Sequence, residues 1–121
     1  MIRALLALLV GAAPAEAGAP DGASVFRARC AACHAVAQAA PPGAGPNLAG
    51  VMGRRVGGDG RFSYSPVLEA ARDGGDTWTA ERLHLFLADP EEMYPGLWMG
   101  ANRLRDPADR DAVVEFLRDA H

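Results

Sequence analysis

The chain has 121 residues, half of them hydrophobic, and a formal net charge of −3 at neutral pH. This length suits one domain, and the mildly acidic balance excludes the basic surface that a nucleic-acid-binding domain needs. A domain of this size builds only a modest hydrophobic core, so we expect a further buried group to complete it.

Residues 1–17 have the features of a secretory signal peptide. Arg3 supplies an early positive charge, an apolar run follows, and Ala15-Glu16-Ala17 is a cleavage site of the A-x-A type. The apolar run is too short to span a bilayer comfortably, although an uncleaved anchor remains an alternative. We therefore predict that residues 1–17 are removed and that residues 18–121 form a single domain. The predicted location is the bacterial periplasm, with no stable membrane insertion.

The first predicted helix runs from about Asp21 to Cys33. Gly22, Phe26 and Cys30 recur every four residues, so they share one face of this helix. The helix leads into Cys30-Ala31-Ala32-Cys33-His34, which has C-x-x-C-H spacing. This pentapeptide is the strongest functional signal in the chain.

The C-x-x-C-H spacing is the one that attaches haem covalently. The two thiols lie about one helical turn apart, so they can add to the two vinyl groups of one haem. His34 then lies under the ring, where a ring nitrogen can bind iron. The motif predicts one haem c, bound through Cys30 and Cys33, with His34 as an axial ligand.

Three other uses of these residues are weaker. A disulfide between Cys30 and Cys33 would close a small, strained loop. A thioredoxin-like dithiol requires an α/β context, and no strand-rich run flanks the motif. A structural zinc site needs four ligands, and beyond the motif only His84, His121 and carboxylates are available. Haem attachment is preferred, with a redox dithiol next and zinc last.

Three more helices are predicted, each with an N-cap residue directly before it. The caps are Ser65, Thr79 and Asp106. The corresponding helices cover residues 66–72, residues 80–89, and the residues from Pro107 onward, where Val113, Phe116 and Leu117 form an apolar stripe. The helix arginines, Arg82 among them, are expected to be solvated. With glycine-rich loops and no convincing strand between the helices, the predicted class is all-α, with long loops wrapped around the haem.

A second axial ligand is predicted in the segment Tyr94-Pro95-Gly96-Leu97-Trp98-Met99. A thioether is a soft ligand that favours ferrous iron, so histidine–methionine ligation suits electron transfer. Met52 is better explained as an apolar plug and Met93 as a core residue. Met99 follows a rigid Pro-Gly turn and is the predicted ligand. The alternative is a loop methionine packed on the haem edge.

Together these features resemble class I cytochrome c, the small mono-haem electron carriers of bacteria and mitochondria. The resemblance covers nearly all of residues 18–121 and implies a cytochrome c-like fold and an electron carrier that is not an enzyme. It also implies that the first and last helices cross where Gly22 and Phe26 pack against Phe116. The motifs that carry it, in chain order, are Gly22-x-x-x-Phe26-x-x-x-Cys30, Cys30-Ala31-Ala32-Cys33-His34, Gly45-Pro46-Asn47-Leu48-Ala49-Gly50, Gly53-Arg54, Phe62-Ser63-Tyr64-Ser65, Thr77-Trp78, Pro95-Gly96 and Met99.

The resemblance implies roles for individual residues. The second ring nitrogen of His34 would donate to the carbonyl of Pro46, which fixes the ring and tunes the iron. Arg54, Tyr64 and Trp78 would hold a haem propionate by supplying hydrogen-bond donors and a cation. Without the resemblance, the two aromatic residues would be explained as core and the arginine as solvated.

Two departures from the family pattern bear on function. Phe86 stands where many members have a tyrosine whose hydroxyl contacts the methionine sulfur, so the bond from Met99 to iron is expected to be weaker. Glu91 and Glu92 lie in a segment that is often lysine-rich in mitochondrial members, so a strongly acidic partner is not expected. The expected partners are redox proteins (a reductase, an oxidase or a periplasmic dehydrogenase), and the protein is expected to be a monomer.

Two alternatives to a free carrier stay open. If Met99 dissociates easily, the iron could bind peroxide or a small gas, as in a haem enzyme or a sensor. Against this, His84 is not clearly placed as an acid–base catalyst. Alternatively, the protein is a haem subunit dedicated to one periplasmic dehydrogenase, with Glu91, Glu92 and Trp98 at the interface.

Overall fold

A computed structural model describes Gly11 and residues 18–100 and 102–121. These residues contain five α-helices: α1 (Gly22–Arg29), α2 (Pro66–Asp73), α3 (Ala80–Ala88), α4 (Pro90–Met93) and α5 (Pro107–Arg118). No strand occurs in them, which confirms the all-α prediction. Within the same ranges, no helix has the length and apolar character needed to cross a bilayer. Apart from Gly11, the proposed signal peptide at 1–17 lies outside the described residues and stays a prediction.

The first helix is shorter than predicted, because the chain turns at Cys30. The backbone N–H of Cys30 bonds to the carbonyl of Phe26 at 2.8 Å, and its φ of −124° departs from helical geometry. A separate turn follows, in which the N–H groups of Cys33 and His34 both bond to the carbonyl of Cys30, at 3.0 and 2.9 Å. The predicted extension of the helix to Cys33 is therefore wrong, and the haem-attachment motif lies in a turn beyond α1.

α1 and α5 cross in direct contact. A Cβ on Gly22 would collide with the backbone carbonyl of Ala112 and would lie 2.8 Å from Cβ of Phe116, so this approach requires glycine. The rings of Phe26 and Phe116 pack with their centroids 5.2 Å apart, inside the favourable range for aromatic pairs. The predicted crossing of the first and last helices is confirmed.

The N-caps predicted for α2, α3 and α5 all lie directly before their helices, but they do not all bond as caps. The side chains of Thr79 and Asp106 accept hydrogen bonds from backbone N–H groups in the first turn, at 3.1 and 2.9 Å. Ser65 makes no such bond. The short helix α4 was not predicted; it begins directly after α3, with Asp89 as its cap.

The buried core joins α1, α3 and α5 to the loops between them. Its buried residues are Phe26, Val51, Val56, Trp78, Leu83, Phe86, Tyr94, Leu97, Leu104, Val113, Val114 and Leu117. Backbone pairing places Trp78 beside Arg54, because the N–H of Trp78 bonds to the carbonyl of Arg54 at 2.8 Å. This pairing, between the loop at 53–56 and the segment 76–78, fixes two of the predicted site residues next to each other.

Arg82 is only partly solvated, with 32% of its side chain exposed, because it makes specific contacts. Its Nη1 donates to the hydroxyl of Tyr94 at 3.0 Å and lies 3.4 Å from a carboxylate oxygen of Asp76. Because Asp76 belongs to the segment 76–78, this contact joins that segment to α3 and to Tyr94, the residue after α4. Sequence patterning alone does not reveal such a contact, since each partner comes from a different element.

Candidate haem-binding site

A cavity of about 290 Å³, mostly apolar, lies between the helices and loops. All eight predicted site residues line it: Cys30, Cys33, His34, Pro46, Arg54, Tyr64, Trp78 and Met99. α3 and α5 supply apolar wall residues, including Leu83, Phe86, Val113 and Leu117. The fold thus brings residues from both ends of the chain to one pocket.

Cys30 and Cys33 are not joined by a disulfide; Cys30 is half-buried and Cys33 is exposed. Burial raises the pKa of Cys30, and the nearby Arg29 cation offsets this only in part. A redox dithiol depends on a lowered thiol pKa, so this environment disfavours that alternative. In the described part of the chain no group of three or more His, Cys, Asp or Glu side chains is found that could hold a metal ion.

The ring of His34 is fixed by one hydrogen bond and one close packing contact. Its Nδ1 lies 2.8 Å from the carbonyl oxygen of Pro46. A carbonyl only accepts, so Nδ1 carries the hydrogen and the lone pair of Nε2 remains available for a metal. A Cβ on Gly45 would lie 2.7 Å from Nδ1, so glycine is required beside the ring.

The pKa of His34 favours the neutral ring that metal binding needs. Burial lowers this pKa, the hydrogen bond to Pro46 raises it in part, and the Arg54 cation lowers it further. The net direction is downward from 6.5, so the imidazole is neutral at neutral pH. This environment suits a histidine that binds metal through Nε2 and is oriented through Nδ1.

One end of the cavity is polar and lacks an acceptor. Arg54 Nε and Ser65 Oγ are buried, and neither has a hydrogen-bond partner among the described residues. The hydroxyl of Tyr64 accepts from the N–H of Asp59 at 3.0 Å, which leaves its own hydrogen for another acceptor. Burial raises the pKa of Tyr64, so the hydroxyl keeps that hydrogen.

Buried donors without partners are costly, and an anionic oxygen is the acceptor that satisfies them best. Arg54 also brings a positive charge and is anchored by a 2.9 Å bond from Nη1 to the carbonyl of Asn47. A haem propionate has the chemistry that this set of donors requires, so the residues present fit the group. Ser65 was predicted only as a helix cap; the signal that was missed is that its hydroxyl is buried and makes no cap bond.

Met99 follows a tight turn, as the Pro-Gly pair predicts. The N–H of Leu97 bonds to the carbonyl of Tyr94 at 3.1 Å, and Gly96 has a φ of +88°. Proline followed by a glycine of positive φ is the pattern of a type II turn. The turn directs the chain back toward the cavity, where Met99 is one of the lining residues.

Of the methionines that the structure describes, only Met99 lines the cavity. Met52 and Met93 pack against the hydrophobic core instead. The neighbouring Trp98 also lines the cavity and is 69% exposed, so it lies at the mouth rather than packed inward. Met99 is therefore the methionine that the fold offers to a bound metal.

His84 lies away from this site. Its Nε2 is 3.3 Å from the carboxylate of Asp111, which links α3 to α5, and His84 does not line the cavity. It is thus not placed to act as an acid–base catalyst there. The helical fold and the cavity, with its two thiols, imidazole and thioether, define a c-type haem protein.

Comparison with known proteins agrees with this class. The family model for cytochrome c matches residues 19–121. A cytochrome c2 of Agrobacterium tumefaciens is 34% identical over 84% of this chain and 91% of its own. A cytochrome c2 of Rhodomicrobium vannielii is 36% identical over 95% of this chain and 90% of its own, and a cytochrome c-550 of Ancylobacter novellus is 45% identical over 64% and 72%. The chain belongs to the cytochrome c family, whose members carry electrons on a covalently bound haem c.

Proposed function

We propose that this protein is a periplasmic one-electron carrier, with haem c bound through Cys30 and Cys33 and ligated by His34 and Met99. The observation that carries the proposal is that both thiols and both ligands line one apolar cavity. When bound, haem c supplies the one-electron couple of its iron. No substrate is transformed.

The residues around the cavity would keep the site unchanged between the two redox states. His34 is held in one tautomer by Pro46, and the turn before Met99 restrains the thioether. Both ligands are uncharged, and the walls from α3 and α5 are apolar, so this environment favours the ferrous form. Ligands that stay in place suit transfer of an electron rather than chemistry at an open position.

The polar end of the cavity would hold a haem propionate. Arg54 supplies the charge, and Tyr64 and Ser65 supply hydroxyl donors. We assign Trp78 to the same group, because backbone pairing fixes it beside Arg54 and it lines the cavity. Holding this carboxylate internally would satisfy the buried donors and help to anchor the haem.

The periplasmic location rests on residues 1–17. Their charge, apolar run and A-x-A site are those of a cleaved export signal. Expression of the full chain in a bacterium that assembles c-type cytochromes should yield a periplasmic product that begins at Gly18. A product that keeps residues 1–17 in the membrane fraction would support the uncleaved anchor instead.

A redox titration combined with carbon monoxide exposure tests the carrier directly. The holoprotein should titrate reversibly as one electron, and the reduced protein should not bind carbon monoxide at neutral pH, because Met99 would already ligate the iron. Rapid binding of carbon monoxide would show an open or labile position. In that case the haem enzyme or gas sensor would be the better interpretation.

The exposure of Trp98 favours a second candidate, a haem subunit dedicated to one periplasmic dehydrogenase. An indole that is 69% exposed at the cavity mouth is suited to a specific contact with a partner. Glu91 and Glu92 are also exposed and would be the other interface residues. Native purification from the source organism should then yield a complex that Trp98→Ala disrupts. Leu85→Ala is the control, because Leu85 is 59% exposed but does not line the cavity.

A further inference from the structure

Asp59 is a buried carboxylate to which the proposed function assigns no role. The residue is 9% exposed, and it lies in a glycine-rich loop where sequence alone suggests a solvated side chain. Its two carboxylate oxygens accept hydrogen bonds from the backbone N–H of Asn47 at 3.3 Å and of Arg61 at 3.0 Å. The guanidinium of Arg61 lies 3.4 Å away and is half-exposed.

The bond to Asn47 joins Asp59 to the peptide group that orients His34. The N–H of Asn47 and the carbonyl of Pro46 belong to one planar, conjugated amide. That amide bonds to Asp59 through its N–H and to Nδ1 of His34 through its oxygen, at 2.8 Å. The carboxylate, the amide and the imidazole therefore form a continuous series of hydrogen bonds.

Hydrogen bonds in series polarise one another. A negative acceptor at the amide N–H shifts electron density toward the amide oxygen, which then becomes a stronger acceptor. A stronger acceptor at Nδ1 increases the electron density at Nε2, the atom that would bind iron. A more basic imidazole stabilises the ferric form over the ferrous form.

We propose that Asp59 is a positioning residue that lowers the midpoint potential of the haem by acting through the Pro46–Asn47 peptide and His34. This inference rests on the proposed ligation by His34. The negative charge of Asp59 would thus lower the potential of a metal that the Asp59 side chain does not contact.

The loop holds this arrangement firmly. The side chain of Asn47 donates to the carbonyls of Ala37 and Ala40, at 2.7 and 2.9 Å, and accepts from the N–H of Ala49 at 2.9 Å. Its backbone carbonyl accepts from Arg54 at 2.9 Å. With both the side chain and the backbone of Asn47 bonded, the peptide cannot rotate away from either Asp59 or His34.

Asp59 carries its charge at neutral pH. Burial raises its pKa, but the backbone N–H groups of Arg61 and Asn47 and the Arg61 cation lower it by more. The net pKa lies below the ordinary value of 3.8. The acceptor at the Asn47 N–H is therefore a carboxylate.

The test is Asp59→Asn in the holoprotein, read by redox titration and by the NMR resonance of the His34 Nδ1 hydrogen in the reduced, diamagnetic state. Asparagine keeps an acceptor and the backbone bond to Tyr64 but loses the charge. We expect the ferrous-to-ferric ratio at a fixed electrode potential to rise about three- to tenfold, at most about 59 mV for one electron. The His34 resonance should move upfield, because its hydrogen bond weakens.

Glu69→Gln is the matched control, because Glu69 is an exposed carboxylate on α2. It should change neither readout. A rise in potential in Asp59→Asn with an unmoved His34 resonance would overturn the proposal, because that pattern belongs to simple charge removal. Unchanged readouts would overturn it as well.

Arg61→Gln provides a second test should Asp59→Asn fail to fold. It leaves the bond between Asp59 and Asn47 in place and frees more of the carboxylate charge to polarise the peptide. The His34 resonance should then move in the opposite direction, downfield, and a resonance that stays in place would overturn the proposal. If the wild-type protein shows no reversible one-electron couple, the proposed function fails, and that result is distinct from either outcome for Asp59.

Discussion

The stability of a Ser65→Ala variant shows whether or not the cavity holds an anionic group. The Ser65 hydroxyl is buried, has no partner among the described residues and makes no cap bond to α2. The substitution therefore removes one hydroxyl without removing a helix cap. Its effect on stability depends on whether that hydroxyl donates to a bound carboxylate.

The change in stability caused by Ser65→Ala has opposite signs with and without a bound carboxylate. A hydrogen bond to a charged acceptor contributes about 1.5–3 kcal/mol, so Ser65→Ala should destabilise the holoprotein by that amount. For a domain of this size the melting temperature should fall by roughly 10 °C. Without an acceptor, removing a buried unsatisfied hydroxyl would instead stabilise the protein, by about 1–3 kcal/mol.

Thermal unfolding of the holoprotein, followed by circular dichroism and by haem absorbance, measures this effect. Ser63→Ala is the control, because Ser63 is an exposed serine in the same loop and its loss should change stability by no more than about 0.5 kcal/mol. A Ser65→Ala protein that is as stable as wild type, or more stable, would refute the assignment of this pocket to a propionate.

Two further predictions concern packing and pH. Gly22→Ala should lower the stability measured by thermal unfolding by about 1–3 kcal/mol, because the new Cβ would collide with the Ala112 carbonyl. Gly60→Ala is the control and should be neutral or slightly stabilising, because a Cβ there would have no atom within 4 Å. Equal stability of the two variants would contradict the close crossing of α1 and α5. The pKa of Asp59 is lowered in the folded protein, so the stabilisation that its charge gives is fully present above the ordinary value of 3.8. This stabilisation is lost as pH falls through the folded value. Urea unfolding of Asp59→Asn across this acid range should therefore approach wild type in stability as pH falls, and a constant difference would contradict the shift.

The parts of the fold that sequence predicts well are those set by local chemistry. Thr79 and Asp106 cap α3 and α5, and the Pro-Gly pair makes the expected turn. The end of α1 was mispredicted, because Ala31 and Ala32 are strong helix formers and favour a longer helix. In the structure the chain leaves the helix at Cys30, where the N–H groups of Cys30 and Ala31 both bond to the carbonyl of Phe26, at 2.8 and 2.9 Å.

The residues of the candidate site also fall into those that a local motif predicts and those that it does not. Cys30, Cys33 and His34 form a local motif that has its own chemical explanation. Arg54 and Tyr64 carry no local signal, and only the family resemblance singled them out. Residues whose importance depends on burial, such as Asp59 and Ser65, were missed because an acid or a hydroxyl in a glycine-rich loop is normally solvated.

The near-infrared absorption of the oxidised holoprotein tests the central claim most directly, because sulfur bound to ferric iron gives a weak band there. Met99→Leu should abolish this band while the haem stays attached through both cysteines. Met93→Leu should keep it, because Met93 packs against the core. We expect a low-spin spectrum with the band in wild type and in Met93→Leu only. A wild-type protein that is high-spin, or that lacks the band, would contradict ligation by Met99 and with it the closed electron carrier.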